Sequence, residues 1–316
     1  MNQASFFQKK WVILIAATIA CILWGSAFPA LKVSYQALNI NGQPYTWKLQ
    51  FAGYRFLLAS LYIFAFMVMT KRSLRIPLSQ IPTLLLLGFV QTSMQYYFFY
   101  NGLANITGMK GAIMTSMGTF FSVILPHFFY HNDKMTRNKW LGLLIGFAGV
   151  IWINLSKGPL GSGFSLTGEG FLIGAALMGA IASIMAKETS AKVETIAMTG
   201  YQMLFGSLML IGFSFVQLGQ NVIVMDMSMV PLFLHLALIS SAGFCLWFTL
   251  LQHNPVSQVS IYKFQIPIWG TLLSAIFIQG ETITPHIVSA LVLVSLGILL
   301  VNRPDKTKPK TVNQSA

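Results

Sequence analysis

The sequence predicts an all-α integral membrane protein with ten transmembrane helices in two inverted five-helix repeats. Three observations lead to this prediction: an apolar composition, ten apolar segments of membrane-spanning length, and matching residues in the two halves. Hydrophobic residues make up 55% of the 316 residues, charged residues only 9%, and the mean hydropathy is +0.68. Soluble domains carry about 25% charged residues, so a water-soluble surface cannot be built over this length.

Ten apolar segments separated by turn-forming residues account for most of the chain. Each transmembrane helix takes about 20 mainly apolar residues, so ten helices use about 200 residues and leave little beyond loops and ends. This excludes a separate soluble catalytic domain. The predicted spans are residues 11–31, 48–69, 81–102, 109–130, 138–155, 168–187, 195–217, 229–251, 257–279 and 284–302.

Basic residues are concentrated on one side of the predicted membrane. The chain has 20 Lys and Arg against 7 Asp and Glu, a net charge of +13. With the N-terminus inside, most of the basic residues fall in cytoplasmic segments, which is the positive-inside distribution. The positive charge therefore orients helices and does not indicate a nucleic-acid partner. Both termini are predicted to be cytoplasmic, with residues 303–316 as a basic tail.

Metal, cofactor and ATP chemistry are not expected. Cys21 and Cys245 lie inside apolar spans without a CxxC pattern, so they predict neither a disulfide framework nor a metal site. His127 and His131 share a helix face near Asp133, but no HExxH motif accompanies them, and we expect them at the membrane interface. No Walker-type loop occurs.

The two halves carry matching residues in the same order. At a shift of 147 positions Gly53-Tyr54 matches Gly200-Tyr201, and at a shift of 149 Asn105 matches Asn254. Because five helices is an odd number, the second half must enter the membrane in the opposite orientation. Inverted repeats recur in secondary transporters, with the solute site at the repeat interface near the midplane. The predicted units are residues 1–155 and 168–302, joined by a linker at 156–167.

Short motifs along the chain also match a known pattern. They are Trp24-Gly25-Ser26-Ala27-Phe28, Arg55, Tyr262-Lys263-Phe264-Gln265-Ile266-Pro267 and Gly280-Glu281. Over about residues 11–303 the chain resembles the drug/metabolite transporter (DMT) superfamily, EamA type. The resemblance implies a bacterial inner-membrane protein that exports small metabolites through a cavity lined mainly by spans 1, 3, 4, 6, 8 and 9. The family often has proline in the fourth helix where this chain has Thr119, which leaves open whether that helix kinks as the ninth does.

Lys263 is the first candidate for solute binding. A charged side chain inside a span costs ~2.5–3.5 kcal/mol on insertion scales and marks a pathway or a paired site; the alternative is a lysine that snorkels to the cytoplasmic interface. Lys263 shares a helical stripe with Pro267, the predicted kink. Gln265 lies on a second stripe with Gln258, Tyr262 and Trp269, and the pattern does not decide which stripe faces the cavity.

Polar and aromatic side chains of other spans complete the predicted site. Gln91 and Gln95 lie four residues apart on one face of the third span and need hydrogen-bond partners in the bilayer. A cavity or a neighbouring helix can supply those partners. The remaining candidates, for which helix packing is the alternative, are Tyr97, Trp24, Ser26 and Trp247.

Four further residues are given mainly structural roles. Arg55 is expected to hold backbone carbonyls or anchor the outer interface, with solute contact as the alternative. Lys110, at an outer span end, is expected at the interface, with attraction of anions to an outer mouth as the alternative. Gly142-x-x-x-Gly146 predicts close helix packing, either within the fold or between the protomers of a homodimer.

The sequence therefore predicts a non-enzymatic secondary transporter, an exporter or exchanger, that moves a small metabolite by alternating access. Lysine and amides without an opposing buried acid favour a solute that carries a carboxylate or phosphate, such as an amino acid or a relative. No acidic residue lies deep in a predicted span, which favours uncoupled or exchange transport. The alternatives are a membrane-embedded enzyme and a transporter of organic cations or drugs. The expected partners are the solute and the lipid bilayer.

Overall fold

The computed structural model describes residues 6–40, 42–129, 135–155, 164–224, 227–254, 259, 261–301 and 303, and within them all regular structure is helical. Ten helices in these ranges fall where the sequence predicts them. They are α1 Lys10–Ala37, α2 Tyr45–Met69, α3 over 81–104, α4 Gly108–Phe129, α5 Arg137–Asn154, α6 Leu166–Ser190, α7 Thr195–Leu218, α8 Val230–His253, α9 over 261–277 and α10 Pro285–Val301. Six of them (α1, α2, α4, α6, α7 and α8) are each long and apolar enough to cross a membrane.

Helix ends follow local capping chemistry. The side chains of Thr107, Thr136, Ser165 and Glu194 accept hydrogen bonds from the first free amides of α4, α5, α6 and α7. Such caps satisfy donors that have no partner inside the helix. At the other end of α7, Gly219 has a φ of +69°, the left-handed conformation that glycine adopts easily after a helix.

The helices pair in a pattern that is unchanged when the two halves are exchanged. Helix α2 packs along α7, and α5 packs along α10. Helix α1 packs against α8 and α9, and α6 correspondingly packs against α3 and α4, while α2 contacts α8 as α7 contacts α3. If each helix is replaced by its equivalent in the other half (α1 by α6, α2 by α7 and so on), each of these pairings becomes itself or another pairing of the set. The predicted repeat architecture is therefore confirmed, and the two halves interleave.

The matched asparagines have the same role in the two halves. Asn105 follows α3, and its side-chain amide donates to the carbonyl four residues earlier (2.8 Å) and to that of Thr167 at the start of α6 (3.1 Å). Asn254 follows α8 and donates to the carbonyl four residues earlier (3.0 Å) and to that of Phe7 before α1 (3.0 Å). Each amide ties the end of one helix to the first helix of the other half. The repeat boundaries at 155 and 168 stay a prediction, and most of the predicted linker, residues 156–163, lies outside the described residues.

Both α4 and α9 depart from regular α-helical geometry at equivalent places. Helix α4 consists of Gly108–Met114 and Met117–Phe129, separated at residues 115–116, and α9 consists of a 3₁₀ turn, Ile261–Phe264, followed by Gln265–Phe277. Pro267 lies in the first turn of the second segment, where a missing N–H costs no helical hydrogen bond. The fourth helix is thus interrupted without a proline at position 119.

The Gly142-x-x-x-Gly146 motif lies at the contact between α5 and α10. A Cβ atom added to Gly297 of α10 would lie 2.6 Å from the Cα of Gly146 and 2.7 Å from the carbonyl oxygen of Gly142. Only hydrogen atoms fit between these backbones, so the motif packs two helices of the same chain.

We expect Gly297→Ala to destabilise the protein by roughly 1–3 kcal/mol, because overpacking forces the two helices apart. The measurement is thermal unfolding of purified protein in detergent. Gly212→Ala is the matched control, because an added Cβ there meets nothing within 4 Å and alanine favours the helix. Equal unfolding temperatures for the two variants would contradict the packing role.

Candidate functional site

A cavity of about 160 Å³ lies about halfway along several of the helices. It is lined by α1, α3 and α4 of the first half and by their equivalents α6, α8 and α9, and α2 contributes Arg55. Of the helices that line the cavity, only α2 was not among those predicted to do so. A cavity of about 150 Å³ holds benzene, whereas pockets for drug-sized ligands measure about 300–1,000 Å³. The space therefore suits a small solute.

Lys263 lines the cavity from the 3₁₀ turn at the start of α9. Its ammonium lies 5.1 Å from the centroid of a Trp247 ring on α8, and Trp247 also lines the cavity. Pro267, on the same stripe as Lys263, is buried at the cavity wall, whereas Gln265 does not line it. The stripe that carries Lys263 therefore faces the cavity.

Arg55 joins three helices at the cavity wall. It is only 2% exposed, and it donates to the carbonyl of Leu236 (2.9 Å) and the hydroxyl of Ser240 (2.9 Å) on α8. It also donates to the hydroxyl of Tyr100 on α3 (2.6 Å). A guanidinium has five N–H donors, so Arg55 fixes α2 against α3 and α8 and still contributes positive charge to the cavity.

Gln91 and Gln95 both line the cavity from α3. Gln91 lies in a π-helical turn, Phe89–Met94, where the hydroxyl of Ser93 donates to the carbonyl of Gly206 on α7 (3.0 Å). The Gln91 amide donates to the side-chain oxygen of Gln95 (2.6 Å). Short π-helical turns often occur at functional sites, and this one presents two amides to the cavity.

Three cavity residues carry a buried polar atom without a hydrogen-bond partner among the described residues. The atoms are Gln91 Oε1, Ser116 Oγ and Trp24 Nε1. Leaving a buried donor or acceptor unsatisfied costs about 1–3 kcal/mol, and such groups are few in native proteins. Three of them around one cavity can be satisfied by a polar solute.

The rest of the wall consists mainly of aromatic and small residues. The ring centroid of Trp24 lies 5.3 Å from those of Trp247 and Phe244. The small residues of the wall come mainly from α6, among them Ala176 and Gly179. The wall thus combines an apolar surface with a few polar groups, as small-molecule sites do.

Two other sequence candidates lie outside the cavity. Ser26 donates to the carbonyl of Leu23 (2.8 Å) and contacts the ring of His235 (3.2 Å). Tyr97 packs against Tyr45 and Phe171, with centroid distances of 5.8 and 5.9 Å. Both contact neighbouring helices, and Gln265 also does not line the cavity.

The prediction that Lys110 lies at an interface is wrong. Lys110 of α4 forms an ion pair with Glu169 of α6, and their side chains are 2% and 1% exposed. Glu281 lies at the same end of α4 and accepts hydrogen bonds from the amides of Gly108 (2.6 Å) and Met109 (2.8 Å). Lys110 can be buried because Glu169 of the second half neutralises its charge, and Glu281 of the same half satisfies the free amides at the start of α4.

No acidic side chain of the described residues lines the cavity. Glu169 and Glu281 are engaged as above, and Glu194 pairs with Arg72 at 2.8 Å on the surface. The described ranges also hold no group of three His, Cys, Asp or Glu that could bind a metal. His131 and Asp133 lie outside those ranges.

Comparison with known proteins agrees with this architecture. The EamA-like transporter family matches residues 10–155 and 166–303. An uncharacterized transporter of Archaeoglobus fulgidus is 26% identical over 94% of this chain and 99% of its own. A probable amino-acid metabolite efflux pump of Salmonella typhimurium is 24% identical over 90% of this chain and 92% of its own.

A solved crystal structure has the same fold. Its TM-score is 0.69 at 14% sequence identity, and the match covers 92% of this chain and 96% of the other. The family match includes nearly all ten helices, so the resemblance to the drug/metabolite transporters seen in the sequence is confirmed. The chain belongs to the EamA-like transporter family, and it is a multi-pass membrane transporter.

Proposed function

We propose that the protein is a secondary transporter that exports or exchanges a small carboxylate-bearing metabolite by alternating access. Its place would be the bacterial inner membrane, with both termini in the cytoplasm. The main support is the cavity, which is lined by equivalent helices of both halves. Its lining residues include two positively charged side chains, Arg55 and Lys263, and three residues with an unpaired polar atom.

The repeat symmetry supports alternating access. In inverted-repeat transporters the two halves rock against each other around a fixed central site. The irregular turns of α4 and α9 lie in the cavity wall at Thr115-Ser116 and at Lys263, so each half has a departure from helical geometry at the cavity. If the segments of α4 and α9 exchanged their local conformations, the cavity would open first to one side of the membrane and then to the other.

The cavity chemistry supports a carboxylate-bearing solute. Arg55 and Lys263 line it, and a cation paired with a carboxylate forms a hydrogen bond about twice as strong as a neutral one. The same two cations weigh against organic cations and cationic drugs. The Salmonella relative is named for amino-acid metabolites, which supports a metabolite of that size.

The lining residues favour transport over chemistry. Among the described residues of the wall there is no carboxylate or histidine, the bases that most often activate a serine or threonine hydroxyl for catalysis. The lack of a lining carboxylate also supports uncoupled or exchange transport over coupling to protons or sodium.

The test is counterflow of labelled solutes into proteoliposomes. Amino acids, organic acids, sugar phosphates and organic cations are compared, first with wild type and then with Lys263→Ala. We expect a carboxylate-bearing solute to exchange, and the lysine variant to lose at least about tenfold in rate, because a buried charge-assisted contact is lost. Lys187→Ala is the control, because Lys187 is exposed at the end of α6. Movement of cations alone, or an unchanged rate in folded Lys263→Ala, would contradict the proposal.

A further inference from the structure

The cavity wall has an unusual charge balance. Arg55 and Lys263 contribute two formal positive charges, and no carboxylate of the described residues lines the wall. In a site removed from water, like charges repel much more strongly than in solution. The ammonium of an amino acid is attached one carbon from its carboxylate, so a cation that binds the carboxylate also lies close to the ammonium.

One aromatic ring of the cavity wall already faces a cation. Ring faces attract cations within about 6 Å of the centroid, and the Lys263 ammonium lies 5.1 Å from the centroid of Trp247. A solute ammonium would have to share the face of Trp247 with Lys263.

The unpaired atoms of the wall also fit a neutral polar group better than an ammonium. Trp24 Nε1 can only donate, Gln91 Oε1 can only accept, and the Ser116 hydroxyl can do either. An ammonium has three N–H donors to satisfy, and this set offers at most two acceptors. A hydroxyl has one donor, which Gln91 Oε1 satisfies.

We infer that the solute is an organic anion with a neutral hydrogen-bond donor beside its carboxylate, a 2-hydroxy acid rather than an amino acid. This inference rests on the proposed function and narrows its substrate class. The carboxylate pairs with the Arg55 and Lys263 charges, the hydroxyl donates to Gln91, and the carbon chain lies against the aromatic wall. The chain is short, because the cavity is close in volume to one that holds a six-carbon ring.

Three probes that differ in one substituent test this inference. They are 2-hydroxybutanoate, 2-aminobutanoate and butanoate, which carry a hydroxyl, an ammonium and a hydrogen on the same carbon. Binding to the full-length purified protein is measured by isothermal titration calorimetry. We expect 2-hydroxybutanoate to bind at least about tenfold more tightly than 2-aminobutanoate and about 3–10-fold more tightly than butanoate, since one net hydrogen bond separates the last two.

Two variants separate the contributions of charge and hydrogen bonding. In Lys263→Met the preference for the hydroxy acid over the amino acid should shrink to about threefold or less, because one of the two repelling charges is gone. In Gln91→Met that preference should persist, while the difference between 2-hydroxybutanoate and butanoate disappears. Lys187→Met, in the exposed last turn of α6, should leave all three affinities unchanged.

The outcomes distinguish this inference from the proposed function. Equal or tighter binding of 2-aminobutanoate would overturn the hydroxy-acid assignment and leave a carboxylate transporter in place. If none of the three probes binds and no anion of the wider panel exchanges, the proposed function itself fails.

Discussion

Glu169→Ala is expected to lower the unfolding temperature of the purified protein by roughly 6–20 °C. Its carboxylate pairs with Lys110 in a site where both side chains are almost fully buried, and it also accepts a hydrogen bond from the amide of Ser165 (2.8 Å). Removing one partner of a buried ion pair costs about 3–5 kcal/mol, because the other charge stays buried. The temperature range follows from a shift of about 2–4 °C per kcal/mol in large domains. Thermal unfolding in detergent is the measurement.

Two further variants make this test specific. Arg72→Ala breaks the ion pair with Glu194, whose side chains are 35% and 43% exposed, and exposed pairs contribute only about 0–1 kcal/mol. The double variant Lys110→Met/Glu169→Leu removes both buried charges and should recover most of the lost stability. If Glu169→Ala unfolds no earlier than Arg72→Ala, the buried pair does not hold α4 against α6.

Arg55→Leu is expected to lose both stability and transport. The change leaves the carbonyl of Leu236 and the hydroxyls of Tyr100 and Ser240 without their donor, which costs roughly 3 kcal/mol or more in sum. It also removes one of the two positive charges from the cavity. The measurements are the unfolding temperature and the counterflow rate per folded protein.

Milder changes at the same place separate the two roles of Arg55. Tyr100→Phe removes one of its three bonds and should cost only about 1–2 kcal/mol with most of the transport kept. Arg55→Lys keeps the charge but cannot reproduce the planar arrangement of guanidinium N–H donors. We therefore expect transport above that of Arg55→Leu and stability below wild type. Wild-type stability in Arg55→Leu would show that the guanidinium does not join these helices.

The positions of the helices could be predicted because they depend on local properties. Hydropathy, turn residues and span length are read within about 20 residues of the chain, and the ten helices lie close to the predicted spans. The matched asparagines could be recognised in the sequence for the same reason. Each asparagine bonds to the last turn of its own helix, which is a local contact, as well as to the other half.

The composition of the cavity depends on how each helix is rotated about its axis, and partners from the other half determine that rotation. Periodicity places Lys263 and Gln265 on different stripes, but the packing of α9 against α1 and α4 decides which stripe faces the cavity. Lys110 was misplaced because Glu169, its partner, comes from a distant part of the sequence. Ser26 and Tyr97 have the right chemistry for a site and face neighbouring helices instead.

The interleaving of the two halves has a consequence for synthesis. Helix α1 ends about 190 residues before α8 begins, and at about 5–20 residues per second the ribosome needs roughly 10–40 s to supply that partner. Throughout this delay the newly inserted α1 exposes Trp24 and its neighbours without the helices that cover them. Chains that stop before α8 therefore present an incomplete surface to membrane proteases, and cellular quality control can recognise a truncated product by that exposed face.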